Sequence, residues 1–419
     1  MKKIGVFGLW HLGCVISATW SKSSDVIGYD YDYENVEKLK NGTPPIYEPF
    51  LEEAIKENLN KTLKFTNDQS NLNDCDFIFL AYDTPVNDDD SSNTTILTKS
   101  IEDLSKVLKD NTIVIISSQS PIGFCSELRT KLKKHNSTLE LAYSPENLRL
   151  GEALKCYSEP DRIILGTNNK ETEEKCVELF NQILIQDSIL TMSLESAEMV
   201  KHGINSFLAM SIVFTNHLAD ICSEKGANIK DVVRGLKSDS RIGQKAYLSP
   251  GIGFSGGTLG RDLKVLKQAN NKGYAKLFGS IHKFNDDRKK SIISKIKNNF
   301  GKIKNKKIGV LGLTYKPGTS TLRRSLPVEI TNLIIKKGAK VKVFDPKADY
   351  NELTKKPKFK IEKSIIKIIE KVDYIVLMTE WSEFRDFDWS SITKEISILD
   401  TKNFLNSDNL PKNIKYYSV

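Results

Sequence analysis

Three groups of residues in this 419-residue chain have types and spacings that could do chemistry together. The first is Gly8, Trp10, His11, Leu12 and Gly13, which follow an apolar run, with Asp30 closing the next one. Two glycines so placed suit a dinucleotide turn, one for the tight bend and one for close helix packing, although Trp10 fills the middle position. An acid at the end of a second strand accepts ribose hydroxyls and repels a 2′-phosphate, so NAD is expected rather than NADP. The second group is Lys201 and Asn205, four apart and therefore on one helical face. Their apolar flanks, Met199-Val200 and Phe207-Leu208, direct the pair toward a pocket. The third is Gly251-Ile-Gly-Phe254-Ser-Gly-Gly257-Thr258-Leu-Gly-Arg-Asp262, whose glycines and single aromatic suit a backbone wrapped around a phosphate-bearing ligand. Thr258 offers a hydroxyl with no accessible anion near neutrality, whereas a thiol of reference pKa about 8.5 has one.

Apolar runs at Lys3–Phe7, Val26–Tyr29, Phe77–Ala81, Thr112–Ile116 and Leu139–Ala142 alternate with helical stretches, and further strands are expected near Arg162–Leu165 and Ser188–Thr191. Residues from Leu194 to about Lys225 keep helical periodicity without proline, and a second long helix is expected over Tyr274–Asn299. The glycine loop lies between them. A second α/β set follows at Lys307–Gly312, Lys340–Phe344, Asp373–Met378 and Ile396–Asp400. The expected fold is α/β: two Rossmann-like, doubly wound parallel-sheet domains, 1–193 and 301–419, joined by a long central helical region, 194–300.

Composition narrows the function class. Hydrophobic content of 39% and charged content of 27% suit a globular enzyme. The net charge of +9 sits largely on lysines of helix faces, so a nucleotide-sized anion fits better than a nucleic acid, and no nucleic-acid partner is expected. Six cysteines without metal-like spacing point to reduced thiols in a cytoplasmic protein with no metal. The start, Met1 to Cys14, imitates a lipoprotein signal, but Trp10 and His11 interrupt its apolar run and the segment reads as strand, turn and helix. No run reaches the roughly 18 apolar residues of a membrane span, so no membrane partner is expected.

The glycine loop resembles the catalytic loop of the UDP-glucose and GDP-mannose dehydrogenases, glycine-phenylalanine-glycine-glycine-x-cysteine-x-x-lysine-aspartate, with Thr258 at the cysteine. Ser144-Pro-Glu146-Asn147-Leu148-Arg149, Lys201-His-Gly-Ile-Asn205, Leu311-Gly-Leu-Thr-Tyr-Lys316-Pro-Gly-Thr319 and Asp400-Thr-Lys402-Asn403 carry the same resemblance, which spans essentially the whole chain. It implies that Lys201 and Asn205 stabilise the oxygen from whose carbon hydride leaves, and that Glu146 and Asp262 handle water and protons. It places Thr84, Pro85 and Gln119 at the cofactor. Asn147, Leu148, Gly251, Phe254, Gly257, Lys316 and Lys402 would fall at the nucleotide sugar, with Tyr247 near a phosphate and Arg241 reaching it across a homodimer. Departures gather at the chemistry: Thr258, Gln119 for a threonine, Leu150 for a glutamate and Trp10 for a glycine. The leading expectation is an NAD-dependent oxidation of a UDP-hexose to its uronate without a cysteine thioester, serving polysaccharide synthesis. A single oxidation to an aldehyde or ketone, and a non-catalytic nucleotide-sugar or NAD-binding protein, are the alternatives.

Overall fold

The computed structural model describes residues 2–84, 93–145, 148–149, 151–183, 188–255, 257–269, 275–353 and 356–419. They form two compact units, Met1–Gly203 and Ile204–Val419. In the first, β1 (Lys3–Phe7), β2 (Asp25–Tyr29), β3 (Leu63–Thr66), β4 (Phe77–Leu80), β5 (Ile113–Ile116), β6 (Glu140–Tyr143), β7 (Ile163–Gly166) and β8 (Ile189–Met192) make one sheet. Its order is β3-β2-β1-β4-β5-β6-β7-β8. The first six strands are parallel, as expected of a doubly wound sheet. β7 meets β6 antiparallel through Tyr143 and Gly166, and β8 follows β7 in parallel. An antiparallel neighbour needs no long crossover, so the purely parallel expectation ends at β6.

Strand residues alternate between two cores. Ile4, Val6, Phe77, Phe79, Ile113 and Ile115 pack on one face, and Phe7, Ile78, Leu80, Val114 and Ile116 on the other. Such strands read as continuous apolar runs because both faces are covered by helices.

In the second unit, β9 (Lys307–Leu311), β10 (Lys340–Phe344), β11 (Lys360–Ile361), β12 (Tyr374–Leu377), β13 (Ile396–Asp400) and β14 (Ile414–Ser418) form a wholly parallel sheet ordered β11-β10-β9-β12-β13-β14. This repeats the order of the first six strands, and the turns match too. Gly8 (φ 104°) bends the chain after β1 and Gly312 (φ 88°) after β9. The Leu9 N–H donates to Asp30 at 2.6 Å, and the Leu313 N–H donates to Asp345 at 2.7 Å.

The spine helix Leu194–Lys225 runs 32 residues, about 48 Å at 1.5 Å per residue, and crosses the border between the units. It stops at Gly226, whose φ of 72° is left-handed, with the Ala227 N–H returning to the Cys222 carbonyl at 2.9 Å. The second long helix is Lys276–Phe300; Tyr274, where it was expected to begin, lies outside the described residues. Between the two, the helix Thr258–Gln268 starts at Thr258 itself. Among the described residues no helix is long and apolar enough to cross a membrane.

Candidate active site

The turn after β1 is built by close approach. A Cβ on Gly8 would lie 2.8 Å from the Tyr82 nitrogen, and one on Gly13 would lie 1.7 Å from the Gly8 carbonyl oxygen. Both positions therefore demand glycine. Trp10 is the N-cap residue of the helix His11–Trp20, has extended backbone and offers no side-chain cap. Trp10 is 45% exposed, so the residue at the missing glycine is not packed into the core, while Leu12 is. Asp30 is buried and accepts the N–H groups of Leu9 and Asp32 (3.0 Å) and the Tyr82 hydroxyl (3.0 Å). A carboxylate offers about four lone-pair sites, so with three donors among the described residues Asp30 keeps room for a ribose hydroxyl. The tight glycines, the helix start and this carboxylate fit NAD.

Two members of this end had no signal in the glycine pattern. Tyr82, beyond β4, holds Asp30 and packs against Phe7 and Tyr31. Glu48 is 3% exposed; it meets His11 Nε2 at 2.9 Å and accepts the N–H groups of Gly151 (3.0 Å) and Ala153 (2.9 Å). It thereby ties the cofactor turn to the chain just after Arg149. Their hydrogen-bond partners lie 37 to 105 residues away in sequence, beyond any local pattern.

The loops beyond β4 and β5 are fastened together, since the Thr84 hydroxyl donates to the Gln119 carbonyl at 3.2 Å. The spine helix holds the second loop. His202 Nε2 lies 2.8 Å from the Ser120 carbonyl, and the buried Glu198 accepts the N–H groups of Gly123 (2.6 Å) and Cys125 (2.8 Å). Burial pushes the Glu198 carboxyl above its ordinary range. Lys201, on the same stretch, is half-buried. Leu148 is half-buried and packs against the core of the first unit. Pro85, Glu146, Asn147 and Leu150 lie outside the described residues.

In the second unit, Asn205 Nδ2 donates to Asp262, which is fully buried, and Arg261 Nε lies 3.9 Å from the same carboxylate. Thr258 is one helical turn before Asp262 and exposed. Of the expected loop contacts, Phe254 is buried in a cluster with Ala209, Ile212, Val213, Leu263 and Ile281. This packing anchors the loop to the spine helix. Gly257 is the half-buried N-cap residue of the helix.

Gly251 lies against Lys402, whose Cδ would be 3.3 Å from a Cβ there. Lys402 pairs with Glu380 at 3.1 Å. Lys230, Ser249, Glu380, Arg385, Lys402 and Asn403 help line a cavity of about 510 Å³, within the roughly 300–1,000 Å³ range of ligand pockets. Lys316 is half-buried beside the Tyr315 ring, while Tyr247 and Arg241 are exposed, the latter held by Asp239 at 2.7 Å. The arrangement can hold an oxygen and relay a proton, but the Gly251–Asp262 segment contains no thiol nucleophile.

Comparison with known proteins gives these geometries a context. Residues 2–184 match the NAD binding domain of the UDP-glucose/GDP-mannose dehydrogenase family, residues 195–287 its central domain and residues 309–407 its UDP binding domain. The chain is 34% identical to UDP-glucose 6-dehydrogenase of Rickettsia typhi over 94% of both chains. It is 30% identical to UDP-glucose 6-dehydrogenase TuaD of Bacillus subtilis, over 98% of this chain and 91% of that one. Among solved structures, a UDP-glucose dehydrogenase from Pyrobaculum islandicum has a TM-score of 0.89 at 24% identity, covering 99% of this chain and 97% of that one. The chain is thus a member of the UDP-glucose/GDP-mannose dehydrogenase family, an NAD-dependent oxidoreductase acting on CH–OH groups of a nucleotide sugar.

Proposed function

We propose that the enzyme oxidises the primary carbinol of a UDP-hexose twice, to the uronate, without a cysteine thioester. The observation that carries this reading is the buried Asn205–Asp262 pair one helical turn from Thr258, which keeps the oxygen-holding and proton-handling groups where the family loop has a thiol. Lys201 and Asn205 hold the carbinol oxygen as its proton leaves and the carbon becomes an aldehyde. Water adds to the aldehyde, giving a gem-diol, with Asp262 and Glu146 placing the water and taking its proton. Loss of a second hydride and proton gives the acid. Thr258 holds the sugar or the water and forms no covalent bond. When bound, NAD supplies the hydride acceptor, one molecule for each oxidation.

The alternative is one oxidation and release of the aldehyde or ketone; the missing thiol favours it, because the second step is where a thioester serves. Counting NADH per nucleotide sugar consumed separates the two. A yield of two with uronate as product supports the double oxidation, a yield of one overturns it in favour of the single, and none with retained binding overturns catalysis itself.

UDP-hexose specificity is supported by the named relatives, and a role in supplying a surface polysaccharide follows from a uronate product. The three family segments support the division at 193 and 300. A homodimer is supported by the apolar strip Phe207, Met210, Phe214 and Ile221 on the spine helix, each exposed. Six free cysteines, five of them buried, support a reducing, cytoplasmic setting.

A further inference from the structure

The main-chain groups of Gly251 and Phe254 are held by side chains of the two long helices. Asn216 Oδ1 accepts the Gly251 N–H at 2.7 Å, and Arg288 Nε donates to the Gly251 carbonyl at 2.8 Å. Asn285 bonds twice to one residue: Oδ1 accepts the Phe254 N–H at 2.8 Å and Nδ2 donates to the Phe254 carbonyl at 3.0 Å. Asn216, Asn285 and Arg288 are 3%, 7% and 5% exposed. Gly253 between them has φ 104°, and a Cβ there would fall 2.4 Å from Asn285 Oδ1, so the glycine and the amide require each other.

A loop that served only as a turn could leave these groups to water. Burying two amides and a guanidinium costs desolvation, and each hydrogen bond returns only about 1 kcal/mol net. What the arrangement gains is one loop geometry. The spine helix shows the same purpose. Asn205, Ala209, Ile212 and Asn216 follow the spacing i, i+4, i+7, i+11 and lie on one face. Asn205 bonds to Asp262, Ala209 and Ile212 pack with the Phe254 ring, and Asn216 holds Gly251. Both ends of the Gly251–Asp262 segment are laid along about 16 Å of one helix. Arg288 adds a bond to Asp220, one turn further on, at 2.7 Å.

We propose that Asn216, Asn285 and Arg288 are positioning residues that hold the glycine loop in the one conformation able to enclose the nucleotide sugar, Asn285 being the principal one. This rests on the reading that the loop from Gly251 to Thr258 surrounds that ligand. The three residues set nucleotide-sugar affinity, and NAD affinity is independent of them.

The test uses the full chain carrying Thr258→Cys. Five of the six native cysteines are buried, burial pushes the Cys75 and Cys176 thiols up to about 12, and labelling of the half-buried Cys156 is read on its own peptide, separately from position 258. Iodoacetamide labelling at 258 is followed by peptide mass spectrometry against increasing UDP-glucose or UDP-N-acetylmannosamine. Adding Asn285→Asp keeps the shape and the acceptor but sets an oxygen against the Phe254 carbonyl. It raises the half-protecting concentration at least about ten-fold, with NAD affinity within about two-fold, as expected for a lost buried amide bond. Asn216→Ala, from the other helix, raises it about three-fold or more. A folded Asn285→Asp variant with native NAD affinity and an unshifted protection curve overturns the positioning role and leaves the loop reading standing. If neither nucleotide sugar protects the parent thiol, the loop reading fails and this proposal with it.

Discussion

Asp262 is the residue on which the chemistry of this loop most depends. It is fully buried, receives Asn205, and sits one turn from a threonine that offers no anion. If it relays protons for either oxidation, Asp262→Asn keeps the hydrogen bond from Asn205 in shape but removes the proton acceptor. Turnover then falls by about 10²–10⁴, the usual worth of a general base, with nucleotide-sugar KM nearly unchanged. Steady-state kinetics with both substrates checks this. Tyr82→Phe removes one donor from Asp30 without leaving a cavity, and should raise NAD KM about five-fold, the effect of one hydrogen bond, while sparing the nucleotide sugar. Residues fixed by backbone demand were legible in the sequence: Gly8, Gly13 and Asp30 could hardly be other types. Tyr82 and Glu48 were not, because their partners come from distant turns. Phe254 was ambiguous, since the sequence does not say which way a ring in a glycine loop turns.

Elements carry the loop as much as residues do. The spine helix and Lys276–Phe300 meet through Asp220, which receives Arg288 Nη1 at 2.7 Å and Lys295 at 3.2 Å. Burial works against this carboxyl, but the two cations outweigh it and hold it below the usual carboxylate range. A depressed folded pKa means that the ion pair stabilises the fold above the unfolded value near 3.9, and that this stability is lost as pH falls through the lower, folded value. Asp220→Asn should therefore lower stability at neutral pH and flatten the acid limb, with the two proteins converging once pH has fallen through the lowered, folded value. Denaturant titrations across pH test this; parallel curves would remove the pair from the account. The long helices were legible from periodicity and the absence of proline. β3, β11 and β14 were not anticipated. β3 and β11 are short edge strands, and β14 reads Ile-Lys-Tyr-Tyr-Ser, with one buried residue and no apolar run to announce it.

For the molecule as a whole, the apolar strip on the spine helix sets the expectation for assembly. Phe207→Asp with Phe214→Asp should turn a dimer into a monomer in light scattering, with each unit still folded; a parent that is already monomeric sinks the dimer. The repeated strand order leads further. Asp345 stands in the second sheet where Asp30 stands in the first, yet its carboxylate receives Leu313, Thr314 twice, Trp381, Lys347 and Ala348. Those donors exceed the four or so lone-pair sites of a carboxylate, which leaves nothing for a ribose. Asp345→Ala should thus lower the melting temperature by roughly 5–10 °C, about 2–3 kcal/mol of lost buried hydrogen bonding. Asp30→Ala should chiefly raise NAD KM. The two sheets share one strand order and one glycine turn but differ in the occupancy of a single carboxylate: the first leaves its recognition point open to a dinucleotide, and the second has made the same point a structural rivet.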